Sequence, residues 1–466
     1  MDFNALIITV DQLRFDCLGF AGNRHIQTPN LDLLAASGVA FPNAYTPAPI
    51  CVPARQSILT GTYPTAHGAR TNRSALPESH DTLFRHLQLA GASTAAVGKM
   101  HFWPVYADYG IDKLILAEQD GPGFKIDDYH AGYLRQRGLV DQVDLWDQQQ
   151  EHRRRAPAEY WATFGAMRSN LPEDAYSTTW IADRTIDRLD AFEPDRRFVL
   201  WSSFIKPHHP FDPPTPYDQM YDPETVPLPP RRDLWRMKPL LTRYGDPRIG
   251  YFDVREMSEA QLRHVVAHYY GAITHLDHHI GRILHALDER GLKDETLIVF
   301  FSDHGDYLGQ FGLFLKHPNV PYDALARVPM IVAGPARWVD GGRHSEALVS
   351  TLDVLPTLLD AADIPLPPGV QGRSLLPELR GDVPSTREAV FCETDDLRMV
   401  RTQRYKYIHT PSVERGELYD ILEDPYETND LAELRPDLVA KHQRILLDWM
   451  IDCTRNRHQH DAWEVP

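Results

Sequence analysis

Five short apolar runs constrain this chain more than any other feature: Ala5–Val10, Thr94–Val97, Phe198–Phe204, Leu297–Phe301 and Pro329–Ala333. Strands covered on both faces read as continuous apolar runs, whereas strands with one wet face alternate. Longer amphipathic stretches separate the runs. The pattern predicts an α/β fold, a large mostly parallel sheet sandwiched by helices.

The longest amphipathic stretch starts near Ser258, where Ser258 and Gln261 make a capping-box pattern. Leu262, Val265, Val266, Tyr269, Ile273, Leu276, Ile280, Ile283, Leu284 and Leu287 keep helical spacing, and Gly291 offers a C-cap. His264, His268, His275, His278, His279 and His285 on the same stretch read as a solvated helix face. The pair His264 and His268 mimics zinc spacing but lacks the intervening Glu of metalloproteases.

Residues 104 to 176 and 207 to 250 break the alternation and read as excursions that wall a binding site. The style changes after residue 375. Glu388–Cys392 and Met399–Ile408 read as strands and Leu431–Met450 as a closing helix. The expected division is therefore a main α/β domain over 1–375 and a smaller α+β subdomain over 376–466.

Composition narrows the function classes. Forty-eight basic against 65 acidic residues give a net charge of −17, which argues against nucleic-acid or anionic-membrane partners. The four cysteines (Cys17, Cys51, Cys392, Cys453) show neither metal-finger nor disulfide-framework spacing. Ala5–Val10 is too short to span a bilayer and lacks the flanks of a signal peptide. A soluble cytoplasmic protein is the expectation; a monomer and a homo-oligomer both stay open.

Four of the runs end in polar clusters: Asp11-Gln12; Gly98-Lys99-Met100-His101; Ile205-Lys206-Pro207-His208-His209-Pro210; and Ser302-Asp303-His304-Gly305-Asp306. Ligands bind at the carboxyl ends of strands in open α/β sheets, so the four clusters are expected to converge on one site. Either aspartate alone would read as a cap. Together Asp11, Asp303 and His304, with Gln12 as an amide oxygen, suit a hard divalent cation such as Ca²⁺, Mg²⁺ or Mn²⁺.

A further segment runs Cys51-Val52-Pro53-Ala54-Arg55-Gln56-Ser57-Ile58-Leu59-Thr60-Gly61. Pro53 fits the first turn of a helix and Gly61 its C-cap, which places Cys51 at the N-terminus, where an anion is favoured. This segment resembles the signature of the type I, formylglycine-dependent sulfatases of the alkaline phosphatase superfamily. The blocks around Asp11, Thr28–Asp32, Lys99–His101, Lys206–His208, Asp303–Gly305 and Glu417–Pro425 are similar to family blocks in the same order. The resemblance implies an alkaline-phosphatase-like fold.

It also implies roles. Cys51 becomes formylglycine through a maturation enzyme, and its hydrate is the nucleophile. The metal is held by Asp11, Gln12, Asp303, His304 and residue 51, with Ca²⁺ first and Mn²⁺ or Mg²⁺ as alternatives. Arg55 steadies the hydrate, Lys99 and Lys316 bind the sulfate oxygens, His208 protonates the departing alcohol and His101 takes a proton from the second hydroxyl. Asn72 and His209 are substrate-side candidates. Gln12 with His304 is similar to choline sulfatases and phosphonate monoester hydrolases; the Lys99-Met100-His101 block resembles sulfatases. The leading expectation is hydrolysis of a small-molecule or saccharide sulfate ester. The alternatives are a phosphonate monoester or phosphodiester hydrolase and a non-catalytic binding protein.

Overall fold

The first apolar run is strand β1 (Asn4–Asp11), and every residue in it is buried. Successive side chains leave a strand on opposite faces. Leu6, Ile8 and Val10 enter one apolar layer while Ala5 and Ile7 enter the other. Each Leu or Ile buried in this way contributes about 1.5–3 kcal/mol. Both layers are dry, so the run shows no alternation.

This computed structural model describes residues 3–119, 128–193, 195–229, 240–241, 248–249, 252–254, 257–382, 387–411, 413, 416–455 and 463–464. Parts of both expected excursions (120–127, 230–239, 242–247 and 250) lie outside the described residues.

The main sheet has eight strands. Besides β1 these are β2 (Val39–Ala40), β3 (Ser93–Gly98), β4 (Lys113–Leu116), β5 (Phe198–Pro207), β6 (Thr296–Ser302), β7 (Met330–Ala333) and β8 (Arg343–His344). Their order is β8-β2-β7-β6-β1-β5-β3-β4. The five strands from β6 to β4 are parallel; β7 runs antiparallel to both β6 and β2. The five expected strands all form. The short strands β2, β4 and β8 are not among the expected ones, and β4 lies inside the first expected excursion.

Five helices matter here: α1 (Pro29–Ser37), α2 (Cys51–Thr60), α3 (Ser177–Asp190), α4 (Glu259–Glu289) and α5 (Pro436–Arg455). Helix α4 has 31 residues, about 46 Å at 1.5 Å per residue. Its capping box is formed: the Gln261 N–H donates to Ser258 Oγ at 3.2 Å, and the Ser258 N–H to Gln261 Oε1 at 2.9 Å. Gly291, at φ +64°, follows the C-cap Arg290.

The solvated histidine face is corrected. His268, His275 and His279 are buried, His264 is half-buried, and only His278 and His285 are exposed. Helix α3 and the rings of Tyr176 and Tyr217 cover that side of α4.

Residues beyond 388 build a four-stranded antiparallel sheet: β9 (Ala389–Glu393), β10 (Arg398–Thr402), β11 (Tyr405–His409) and β12 (Glu417–Asp420). The expected run Met399–Ile408 is a hairpin of two strands. The closing helix starts at Pro436 rather than Leu431, proline being suited to a first turn. Leu375, Leu376 and Leu379 pack into the core beneath the main sheet.

Candidate active site

The expected convergence occurs. Strands β6, β1, β5 and β3 are neighbours in that order, and their carboxyl ends deliver Asp303, Asp11, His208 and Lys99 to one place. The β1–β5 register breaks between Val10 and Asp11, an irregularity of the kind that re-aims a side chain. Gln12 (φ 68°) and His101 (φ 59°) both adopt left-handed backbone. For residues other than glycine this costs of order 1–3 kcal/mol and clusters at functional sites. Gly98 is at φ +97°, and a Cβ there would meet the Ser203 carbonyl oxygen at 2.0 Å; only glycine lets β3 turn into Lys99 this close to β5.

Helix α2 begins at Cys51 and ends against Gly61 at φ +64°. Its sulfur lies 3.1 Å from His304 Nε2 and 3.7 Å from Asp11 Oδ1. Asn72, itself exposed, accepts the Val52 N–H at 3.0 Å and so satisfies one of the free donors at the start of α2.

Arg55 is one turn into α2 and fully buried. Its guanidinium donates to Asp303 Oδ2 at 3.0 Å, Asp11 Oδ2 at 3.4 Å, Ser203 Oγ at 2.8 Å and the Lys99 carbonyl at 2.6 Å. Lys99 Nζ meets Asp11 Oδ2 at 2.7 Å and Gln119 Oε1 at 3.2 Å. Lys316 Nζ donates to Gln12 Oε1 and His208 Nε2, both at 2.7 Å. Arg55, Lys99 and Lys316 all exert their charge on Cys51, an arrangement that attracts an anion.

The histidine protonation pattern follows from the hydrogen bonds. His304 Nδ1 donates to its neighbour's carbonyl, Gly305 O, at 2.8 Å, which aims Nε2 at Cys51. His208 Nδ1 faces the His209 carbonyl at 2.7 Å, which leaves Nε2 to accept from Lys316. His101 and His208 lie beside the sulfur and favour its ionised form. His101 Nδ1 is buried with no hydrogen-bond partner. His209 stacks on His208 and bonds Asp147 through Nδ1.

Charge and burial are tightly opposed. Burial disfavours ionised Asp11, as does Cys51, yet Lys99, His208 and Arg55 hold its carboxyl below the ordinary range. Burial and then the Asp11 charge push Asp303 up. His304 rises to about 9; burial opposes this, but Asp303 and Cys51 outweigh it. Burial likewise opposes ionisation of Cys51, yet Lys316 and His304 bring its thiol well below the usual value.

These residues fit a divalent cation. Asp11, Cys51, Asp303 and His304 are buried and offer donor atoms all within 4.8 Å of one another. Two carboxylates crowded in low dielectric, beside an imidazole nitrogen and a thiol, are a donor set that a divalent cation suits. Gln12 Oε1 borders the set through Lys316.

Several supporting residues are not among the expected site residues. Asp306 accepts the Gln12 amide at 2.5 Å, Glu118 accepts the N–H groups of Met100 and His101, and Gln119 links Lys99 to the His209 carbonyl. Asp306 closes the Ser302–Asp306 cluster at the end of β6, whereas Glu118 and Gln119 stand in no such cluster.

A buried anion-binding, metal-capable centre at the carboxyl ends of a sheet, with an N-terminal helix residue aimed into it, defines a hydrolase of anionic esters. The Sulfatase family model matches residues 4–364, and a model described as N-sulphoglucosamine sulphohydrolase, C-terminal, matches 309–438. An arylsulfatase of Clostridium perfringens is 32% identical, covering 92% of this chain and 90% of its own. A choline-sulfatase of Rhizobium meliloti is 30% identical over 92% of this chain and 82% of its own. The solved phosphonate monoester hydrolase of Agrobacterium radiobacter superposes with a TM-score of 0.80 at 26% identity, covering 97% and 96% of the two chains. The chain belongs to the sulfatase family, on the alkaline-phosphatase-like fold. It is a sulfuric ester hydrolase, which cleaves an organic sulfate monoester to alcohol and inorganic sulfate.

Proposed function

We propose that residue 51, oxidised from cysteine to formylglycine, is the nucleophile of this hydrolysis. The observation that carries the reading is the Cys51 sulfur, at the start of α2, 3.1 Å from His304 Nε2 within the Asp11–Asp303–His304 cluster. A divalent cation held by Asp11, Asp303 and His304, with Gln12 and residue 51 alongside, would lower the pKa of the attacking hydroxyl. Ca²⁺ is the first candidate and Mn²⁺ or Mg²⁺ the alternatives, the imidazole suiting Mn²⁺.

Arg55 steadies residue 51 and neutralises the two aspartates. Lys99 and Lys316 stabilise charge on the sulfate oxygens as the ester bond lengthens. The departing alkoxide needs a proton, and the Lys316–His208 pair supplies it: Lys316 holds it against His208 Nε2. His101, with its unpartnered Nδ1, accepts the proton whose loss lets residue 51 expel sulfate. Asn72 positions the start of α2, and His209, oriented by Asp147, borders the substrate side. The proposed partners are a small-molecule or saccharide sulfate ester and a formylglycine-generating maturation enzyme. A cytoplasmic setting is supported by four buried cysteines, none of them in a disulfide. Among the described residues no helix is long and apolar enough to cross a membrane.

A second reading, phosphonate monoester hydrolysis, is favoured by the Gln12 and His304 positions and by the superposition on a phosphonate monoester hydrolase. Both substrates are tetrahedral monoanions. Mass spectrometry of the residue 51 peptide from a host with the maturation enzyme tests the nucleophile; an unmodified thiol in an enzyme that still turns over refutes it. Comparing kcat/KM for 4-nitrophenyl sulfate and a phenyl phosphonate monoester ranks the substrates.

A further inference from the structure

We infer that Glu173, His275 and His279 form a second divalent-metal site, suited to zinc, that pins the end of the first excursion to helix α4. His275 and His279 are one turn apart on α4, so both imidazoles leave the same face. Their Nε2 atoms lie 2.9 Å from each other, and 3.1 and 2.9 Å from Glu173 Oε1. Thr179, from the first turn of α3, adds a hydroxyl 2.9 Å from Glu173 Oε1, 3.1 Å from His279 Nε2 and 3.4 Å from His275 Nε2.

Four donor atoms therefore occupy the corners of a small tetrahedron. Bonds of about 2.0–2.1 Å to a central zinc imply corner separations of about 3.3 Å, and the observed separations need to open by only a few tenths of an ångström. Two imidazoles and one carboxylate, with a hydroxyl or water in fourth place, suit Zn²⁺ better than Ca²⁺ or Mg²⁺, which prefer all-oxygen sets. The histidine side chains are 0% and 1% exposed, while Glu173 is 39% exposed and leaves a path for an ion.

The cluster is also poorly satisfied without a cation. Both Nε2 atoms face the same carboxylate oxygen and each other, and only protons are available to separate them. Arg282 donates to His279 Nδ1 at 3.0 Å, which puts the His279 proton on Nε2. On metal binding that proton moves to Nδ1, and Arg282, already held by Asp183 at 2.8 Å and 38% exposed, turns away. His275 is oriented by packing against the rings of Tyr176 and Tyr217.

The site has a structural consequence. Tyr176, three residues after Glu173, donates to Asp212 Oδ1 at 3.1 Å, and Asp212 holds Lys206 at 2.5 Å. Lys206 is two residues before His208. A metal at Glu173 therefore braces, through Tyr176 and Asp212, the segment that presents His208.

The test uses the full-length protein stripped with EDTA and titrated with Zn²⁺ alone, then with Co²⁺, whose tetrahedral sites absorb strongly in the visible. Wild type is expected to take up zinc with a rise in Tm and to show the Co²⁺ bands. Glu173→Gln is expected to bind at least about tenfold more weakly, since even outer-shell partners are worth that much, and to lose the bands with its EDTA-state Tm unchanged. Cys51→Ala is expected to keep the bands, separating this site from the catalytic cluster. Should Glu173→Gln misfold, His279→Gln provides the same readout. Equal zinc affinity and equal Co²⁺ spectra in wild type and Glu173→Gln, or bands lost in Cys51→Ala and kept in Glu173→Gln, overturn the inference.

Discussion

The sulfur of Cys51 faces Nε2 of His304 at 3.1 Å although 253 residues separate them in the chain. Because the Gly305 carbonyl accepts from Nδ1, Nε2 of His304 is fixed toward residue 51. His304→Ala is expected to weaken divalent-metal affinity by more than the roughly 10–100-fold lost when an outer-shell partner is removed, with activity falling in step. Calorimetric titration of the metal into wild type and variant checks this; unchanged affinity would remove His304 from the ligand set.

The Arg55 guanidinium touches both cluster aspartates, Asp303 at 3.0 Å and Asp11 at 3.4 Å. Replacing it with Met leaves two buried carboxylates short of a partner, a kind of change that costs about 3–5 kcal/mol. Chemical denaturation should show this loss in the metal-free protein and a smaller one once the cation is bound.

Lys316 is half-buried and its ammonium spans Gln12 and His208. Lys316→Ala should lower kcat by about 10²–10³-fold, the range found for a lost charge-stabilising donor, with little effect on Tm. Because Lys316 and His208 act on the same proton, the double variant with His208→Ala should lose far less than the product of the two single effects. Multiplicative losses would show that the two residues act separately.

Stability should fall on mild acidification. Burial, and next the neighbouring His264, lower the His268 pKa from 6.5 to about 4. Between those values the unfolded chain binds more protons than the folded one, so stability is lost as pH drops from 6.5 toward 4. For this one group the loss is up to about 3 kcal/mol. His268→Gln should flatten the urea midpoint across that window, and an unchanged slope would count against the assignment.

Gly98→Ala places a methyl 2.0 Å from the Ser203 carbonyl oxygen at a φ of +97°. A loss of at least about 1–2 kcal/mol follows from the backbone conformation alone. The Lys99 ammonium should be displaced with it, so KM is expected to rise along with the fall in Tm.

What could be read from one dimension was whatever repeats locally or sits at a strand end. Continuous apolar runs required strands covered on both faces, and β1, β3, β5, β6 and β7 follow. The polar residues closing four of them had to share an edge of the sheet once the strands were parallel and adjacent. The capping box at Ser258 and the glycine at 61 are short-range signals and held for the same reason.

Short edge strands and long-range pairing lay beyond that reach. Strands β2 and β8 are two residues each and exist only because a neighbour is there to bond. The histidines of α4 look alike along the helix, and only the packing of α3, Tyr176 and Tyr217 sends His275 and His279 inward to meet Glu173. Hydrogen-bond partners such as Gly305 for His304 and Lys316 for His208 decide which nitrogen carries a proton, and that choice depends on distances no spacing encodes. The residue types at the site were a property of the chain; their protonation and aim came from tertiary contacts, because electrostatic energy depends on separation in space.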